Sequence, residues 1–92
     1  MTAAAKRHMD RVAELGCILC RHTGQGHSPA ELHHIREGQG AGQRSADTLV
    51  IPLCPYHHRG PAGVHGLGTR GLATRYRVSE LDLLAMTLEA MA

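Results

Sequence analysis

The chain has 92 residues, enough for one small domain, and it carries a net charge of only +2. It contains no Phe, no Trp and just two tyrosines, so a thin aliphatic core must be reinforced by some other means. No stretch approaches the roughly 20 apolar residues of a membrane span, the first eight residues (Met1 to His8) lack the apolar run of a signal peptide, and three cysteines do not make a secreted disulfide framework; a reducing, cytoplasmic setting is expected.

Residues 4–15 predict a helix, with Ala5, Met9, Val12, Ala13 and Leu15 along one face and Gly16 as its stop. A Cys17-Ile18-Leu19-Cys20 knuckle follows, then a polar loop from Arg21 to Ser28. Glu31 to Ile35 is short and ends β-branched, and it predicts a strand; residues 36–47, with Gly38, Gly40 and Gly42, predict a loop. Leu49-Val50-Ile51, bounded by Pro52, predicts the second strand. A short helix carrying His57 and His58 is expected after Cys54, broken by Gly60-Pro61, with a glycine-rich segment over 62–68. Thr69 to Arg77 predicts a further helix, and Ser79-Glu80-Leu81-Asp82 reads as a capping box opening a last one to about residue 91, with Leu81, Leu84, Met86, Leu88 and Met91 as its apolar content.

The strongest chemical signal is the pairing of Cys-x-x-Cys at Cys17 and Cys20 with Cys-x-x-His at Cys54 and His57. Four such donors form a closed structural zinc site, with His22 or His58 as rivals for the fourth position. Structural zinc contributes roughly 10–16 kcal/mol of folding free energy, which compensates for a thin core. His33, His34 and His58 are then left beside the knot without a structural task, and spare histidines next to a rigid metal knot point to hydrolytic chemistry. A neutral imidazole titrates near pH 6.5 and can take a proton from water, which makes His34 the candidate general base. His8 and His27 stand apart from every motif and read as solvated.

The charge is unevenly spread. Residues 1–78 hold all ten basic residues against five acids, or +5, and residues 79–92 hold three acids and no base, or −3. Nine of the ten bases are arginine, the better residue for bidentate phosphate contact. Arg36, Arg44, Arg59, Arg70 and Arg75 are the candidate phosphate contacts, against the plainer reading of solvated surface charges.

The order strand with a His pair, loop, strand, then Cys-x-x-His-His on a helix resembles the HNH, or ββα-metal, nucleases in zinc-stapled form. More narrowly, His33-His34-Ile35-Arg36, Gly38-Gln39-Gly40, Gln43-Arg44, Ile51-Pro52-Leu53-Cys54-Pro55, His57-His58-Arg59 and Val64-His65-Gly66 look like the Ref family of phage and prophage recombination-enhancement proteins, which are RecA-dependent nucleases. The likeness runs from about Val12 to Tyr76. It implies a single α+β domain over 1–92, a zinc-stapled ββα-metal core over about 12–76 with flanking helices, in a bacterial or phage-encoded DNA endonuclease. It also implies a catalytic divalent ion, Mg²⁺ or Mn²⁺ (with Zn²⁺ suited to an all-histidine set), held by His33 and His58, with His65 as a third ligand or a phosphate contact.

The HNH pattern places an Asn between the strands to orient the base. This chain has Ala46-Asp47-Thr48-Leu49 there, so Asp47, Thr48 or a backbone carbonyl must serve. The family's best-known member has a long basic N-terminal extension linked to DNA and RecA binding; this chain starts almost at the globular domain, and a RecA filament is an expected partner by resemblance alone. A zinc-finger-like module that binds nucleic acid or protein without catalysis is the competing reading. It needs the zinc knot and the arginines, but no convergence of His33, His34 and His58.

Overall fold

The computed structural model describes residues 1–40 and 45–92. Among these, five helices surround one two-stranded antiparallel sheet, a small α+β arrangement. Helix α1 (Ala3–Glu14) opens on Thr2, whose hydroxyl accepts from the Ala5 N–H at 3.0 Å. It buries Val12 and lays its half-buried stripe across the sheet.

The Cys17–Cys20 knuckle is more than a turn. It opens a short helix, α2 (Ile18–His22), with Cys17 as its N-cap and the Cys17 sulfur accepting from the Cys20 N–H at 3.3 Å. Strand β1 (Glu31–His34) pairs with β2 (Val50–Leu53) in the register Glu31↔Leu53, Leu32↔Pro52, His33↔Ile51 and His34↔Val50. The second strand therefore runs through Pro52, where the sequence predicts its end. The bond from Ile35 N to Leu49 O makes the odd-numbered pairs of this ladder the hydrogen-bonded ones. Pro52 thus occupies a position whose missing N–H would point away from β1, as an edge position allows.

Helix α3 (Pro55–Arg59) begins with proline in its first turn, where no amide donor is needed. Helix α4 (Val64–Tyr76) starts five residues before the predicted Thr69 and includes much of the segment expected as a glycine-rich loop. Two glycines explain this. A Cβ on Gly63 would lie 2.6 Å from the His57 carbonyl carbon and oxygen, so only glycine lets the start of α4 press against α3. Gly68, at φ +79, breaks α4 into a first turn and a longer second part.

Helix α5 (Glu80–Met91) has the capping box expected from sequence: Ser79 N–H donates to Asp82 and Asp82 N–H donates to Ser79 Oγ. Its buried face is Glu80, Leu83, Leu84 and Thr87, while Leu81 and Leu88 are exposed. The helix packs on its own core: of the apolar residues that the sequence picks out, Leu84 is buried and Met86 packs against the core, whereas Leu81 and Leu88 face outward. That core joins Ile18, Leu19, Ile35, Ile51, Leu53, Val64, Leu72, Val78 and Leu83 with all three cysteines. No helix among the described residues is long and apolar enough to cross a membrane.

Candidate metal centres

Cys17 and Cys20 at the start of α2, Cys54 at the end of β2 and His57 on α3 meet in the buried core. His57 Nδ1 lies 3.6, 3.5 and 3.3 Å from the sulfurs of Cys17, Cys20 and Cys54, and the Cys20 and Cys54 sulfurs are 3.8 Å apart. A tetrahedron with metal–ligand bonds of about 2.1–2.3 Å has edges of roughly 3.4–3.8 Å, so the four donors fit a zinc ion. Burial pushes the Cys17 thiol up to about 12, and burial lowers the His57 imidazole. Burial acts to raise Cys54 as well, yet hydrogen bonds from the His57 N–H and from Cys17 and Cys20 leave it below the ordinary thiol value, and a bound cation would compensate the charge of thiolates gathered in this way. The His57 ring is fixed edge-on between Tyr56 and Tyr76, at centroid distances of 5.2 and 5.5 Å, and the Tyr76 hydroxyl donates to the Ala62 carbonyl. His22 is exposed outside this cluster and His58 turns elsewhere, so His57 is the imidazole against the thiols.

A second cluster lies on the other side of α3. His33 from β1, His58 from α3 and His65 from the first turn of α4 each bring a ring nitrogen within 4.8 Å of the others. They line an open cavity of about 290 Å³ together with Leu32, His34, Ile35, Arg36 and Ser45. His33 and His34, neighbours on a strand, thus reach the same cavity. The donor set, three imidazole nitrogens within 4.8 Å of one another, suits a divalent transition-metal ion.

The outer nitrogens are specified too. His33 Nε2 meets the carboxylate of Glu80 at 2.9 Å, and His58 Nδ1 meets Glu31 at 2.8 Å. His65 differs: its Nε2 is 3.1 Å from His58 Nε2, and its Nδ1 faces the Arg36 guanidinium at 3.1 Å. Burial lowers the His65 pKa. Glu31 is held down to about 2 by hydrogen bonds from Arg59 and His58. Burial pushes Glu80 the other way, yet hydrogen bonds from His33, Thr69 and the Arg36 N–H leave its carboxyl below the usual range.

His34 is 2.9 Å, through Nε2, from Asp47 Oδ1. Of the two residues the sequence offers as orienters, Asp47 makes the contact; Thr48 is exposed and its carbonyl meets His8 Nε2 at 3.2 Å, so His8 is docked rather than merely solvated. Arg36 lines the cavity. Arg59 is tied to Glu31, Arg75 lies over the Tyr76 ring, and Arg70 is exposed on α4 away from the cavity lining. Arg44 lies outside the described residues. Sequence reasoning missed Glu31 and Glu80 as site residues. Glu80 is read there only as part of a capping box, although its spacing to Leu83, Leu84 and Thr87 puts it on the inward face of α5.

The two clusters define a candidate metal-binding protein with a closed centre and an open one. Residues 1–91 match the family described as recombination enhancement, RecA-dependent nuclease, and the chain belongs to that family. No curated protein matches the chain.

Proposed function

We propose that the chain is a metal-dependent DNA endonuclease of the HNH type that hydrolyses phosphodiester bonds by water attack, with RecA as the partner that its family membership implies. The observation that carries this reading is the convergence of His33, His58 and His65 on one cavity that His34 also lines. A binding module needs the zinc knot, but not a second, open cluster with a histidine–carboxylate pair beside it.

His33, His58 and His65 would hold the divalent ion, which when bound neutralises charge on the phosphate and on the departing 3′-oxygen. Asp47 bonds the His34 ring through Nε2 and orients it, and His34 takes the proton from the attacking water. The water oxygen bonds to phosphorus as the bond from phosphorus to the 3′-oxygen breaks. Arg36 lines the cavity and would contact the phosphate, which its guanidinium can do in two-pronged fashion. Cys17, Cys20, Cys54 and His57 keep a zinc ion that fixes α3, and so His58, against the sheet.

The test is DNA cleavage by wild type and His34→Ala with Mg²⁺ or Mn²⁺, with and without RecA, alongside the zinc content of both proteins. Metal-dependent cutting that His34→Ala loses while keeping one zinc supports the reading. Equal cutting by the variant removes His34 as base, and DNA binding without cutting in any condition favours the non-catalytic module.

A further inference from the structure

Glu80 is fully buried, and its burial is not explained by helix capping, which Ser79 and Asp82 perform. A carboxylate removed from water is costly unless charge and hydrogen bonds compensate it. Three donors from three parts of the chain surround this one: His33 Nε2 at 2.9 Å, the Arg36 N–H at 2.8 Å and the Thr69 hydroxyl. They come from β1, from the segment that follows it, and from α4 just beyond its break at Gly68.

The arrangement has a chemical consequence for His33. A neutral imidazole has one N–H, and an acceptor on Nε2 keeps it there. The lone pair is then on Nδ1, the nitrogen left for the cluster with His58 and His65, whose rings lie 5.2 Å from that of His33. Glu31 does the same for His58 through the opposite nitrogen, keeping the proton on Nδ1 and the lone pair on Nε2. We propose that Glu80 is a positioning residue for a divalent cation: through its bond to Nε2 it fixes the tautomer and angle of His33, and its negative charge strengthens Nδ1 as a donor. The inference rests on reading His33, His58 and His65 as ligands. It extends the open centre to α5, an element outside the two strands and the helix that present His33 and His58. Carboxylates hydrogen-bonded behind metal-binding histidines typically account for 10–100-fold in metal affinity.

The experiment is a calorimetric titration of Mn²⁺ into the zinc-loaded protein, comparing wild type, Glu80→Gln, His33→Ala and His58→Ala. Glu80→Gln keeps the shape and can still accept from His33 and Arg36, but loses the charge. Its Mn²⁺ affinity is expected to fall by roughly 10-fold or more, with bound zinc and Tm unchanged and with DNA cutting restored by raising Mn²⁺. If the two His→Ala variants bind Mn²⁺ as wild type does, the ligand reading itself fails. If they lose binding while Glu80→Gln stays within twofold of wild type, the role of Glu80 is overturned and the ligands stand. Nitrogen-15 spectra of the wild-type histidines give a second measurement that needs no variant. His33 is expected to be protonated on Nε2 with metal bound, and a proton on Nδ1 would overturn the proposal.

Discussion

Asp47→Asn isolates the charge behind the proposed base. Asn presents the same carbonyl oxygen to His34 Nε2, so the 2.9 Å contact can persist while the negative charge is removed. When His34 takes a proton it becomes a cation, and Asp47 stabilises that cation. Two unit charges about 4 Å apart interact by about 1 kcal/mol in water and about 4 kcal/mol at an effective dielectric of 20. The His34 and Asp47 side chains are 23% and 30% exposed, which places the pair between these limits. About 2 kcal/mol is a reasonable middle value, equivalent to roughly 30-fold in rate. The assay is single-turnover cleavage of labelled DNA with saturating Mn²⁺, in the wild-type and His34→Ala backgrounds. His34→Ala alone is expected to lose roughly 10²–10⁴-fold. Adding Asp47→Asn to it should change little, because residues acting as a unit are not additive. A wild-type rate for Asp47→Asn refutes the argument. So does an equal 30-fold loss in the His34→Ala background, which would show Asp47 acting independently of His34.

Removing zinc from the Cys17, Cys20, Cys54 and His57 centre should unfold the domain, because roughly 10–16 kcal/mol of metal binding is comparable with the whole of the roughly 5–15 kcal/mol that holds an ordinary domain together. Circular dichroism after complete chelation checks this, and an unchanged melting curve at zero zinc would contradict it. Leu83→Ala, at a fully buried position of α5, is expected to cost about 2–5 kcal/mol, read as a lower urea midpoint with the zinc retained. Arg77 ends α4 in the left-handed region at φ 57, where a side chain costs roughly 1–2 kcal/mol. Arg77→Gly is therefore expected to raise Tm by a few degrees even after the entropic penalty of glycine; a fall in Tm would show that the arginine side chain matters more than its backbone strain.

The elements most legible in the sequence are those with local causes. Gly16, the capping box of Ser79 and Asp82, and the short helix after Cys54 all lie where turn chemistry and capping place them. The four thiolate and imidazole donors were legible for a similar reason, since their spacing within each pair already matches zinc. What the chain conceals depends on contacts distant in sequence. The early start of α4 requires the close approach of Gly63 to His57, which no local pattern announces. The inward phase of α5 follows from Glu80 meeting His33, 47 residues away, and pairing a buried acid with a buried histidine inverts the usual rule that charge faces water. Asp47, one of the alternatives in sequence, is singled out by its distance to His34.

His57 and His58 are adjacent residues that serve different centres, one facing the thiols and the other the open cavity. No spacer separates anchor from tool, so the angle between them is set by the pitch of a single helical turn. One residue inserted between them would rotate His58 by about 100° around the axis of α3, away from His33 and His65. The peptide bond joining the pair is thus a phase lock: under the proposed function, an insertion or deletion at this bond would uncouple folding from chemistry.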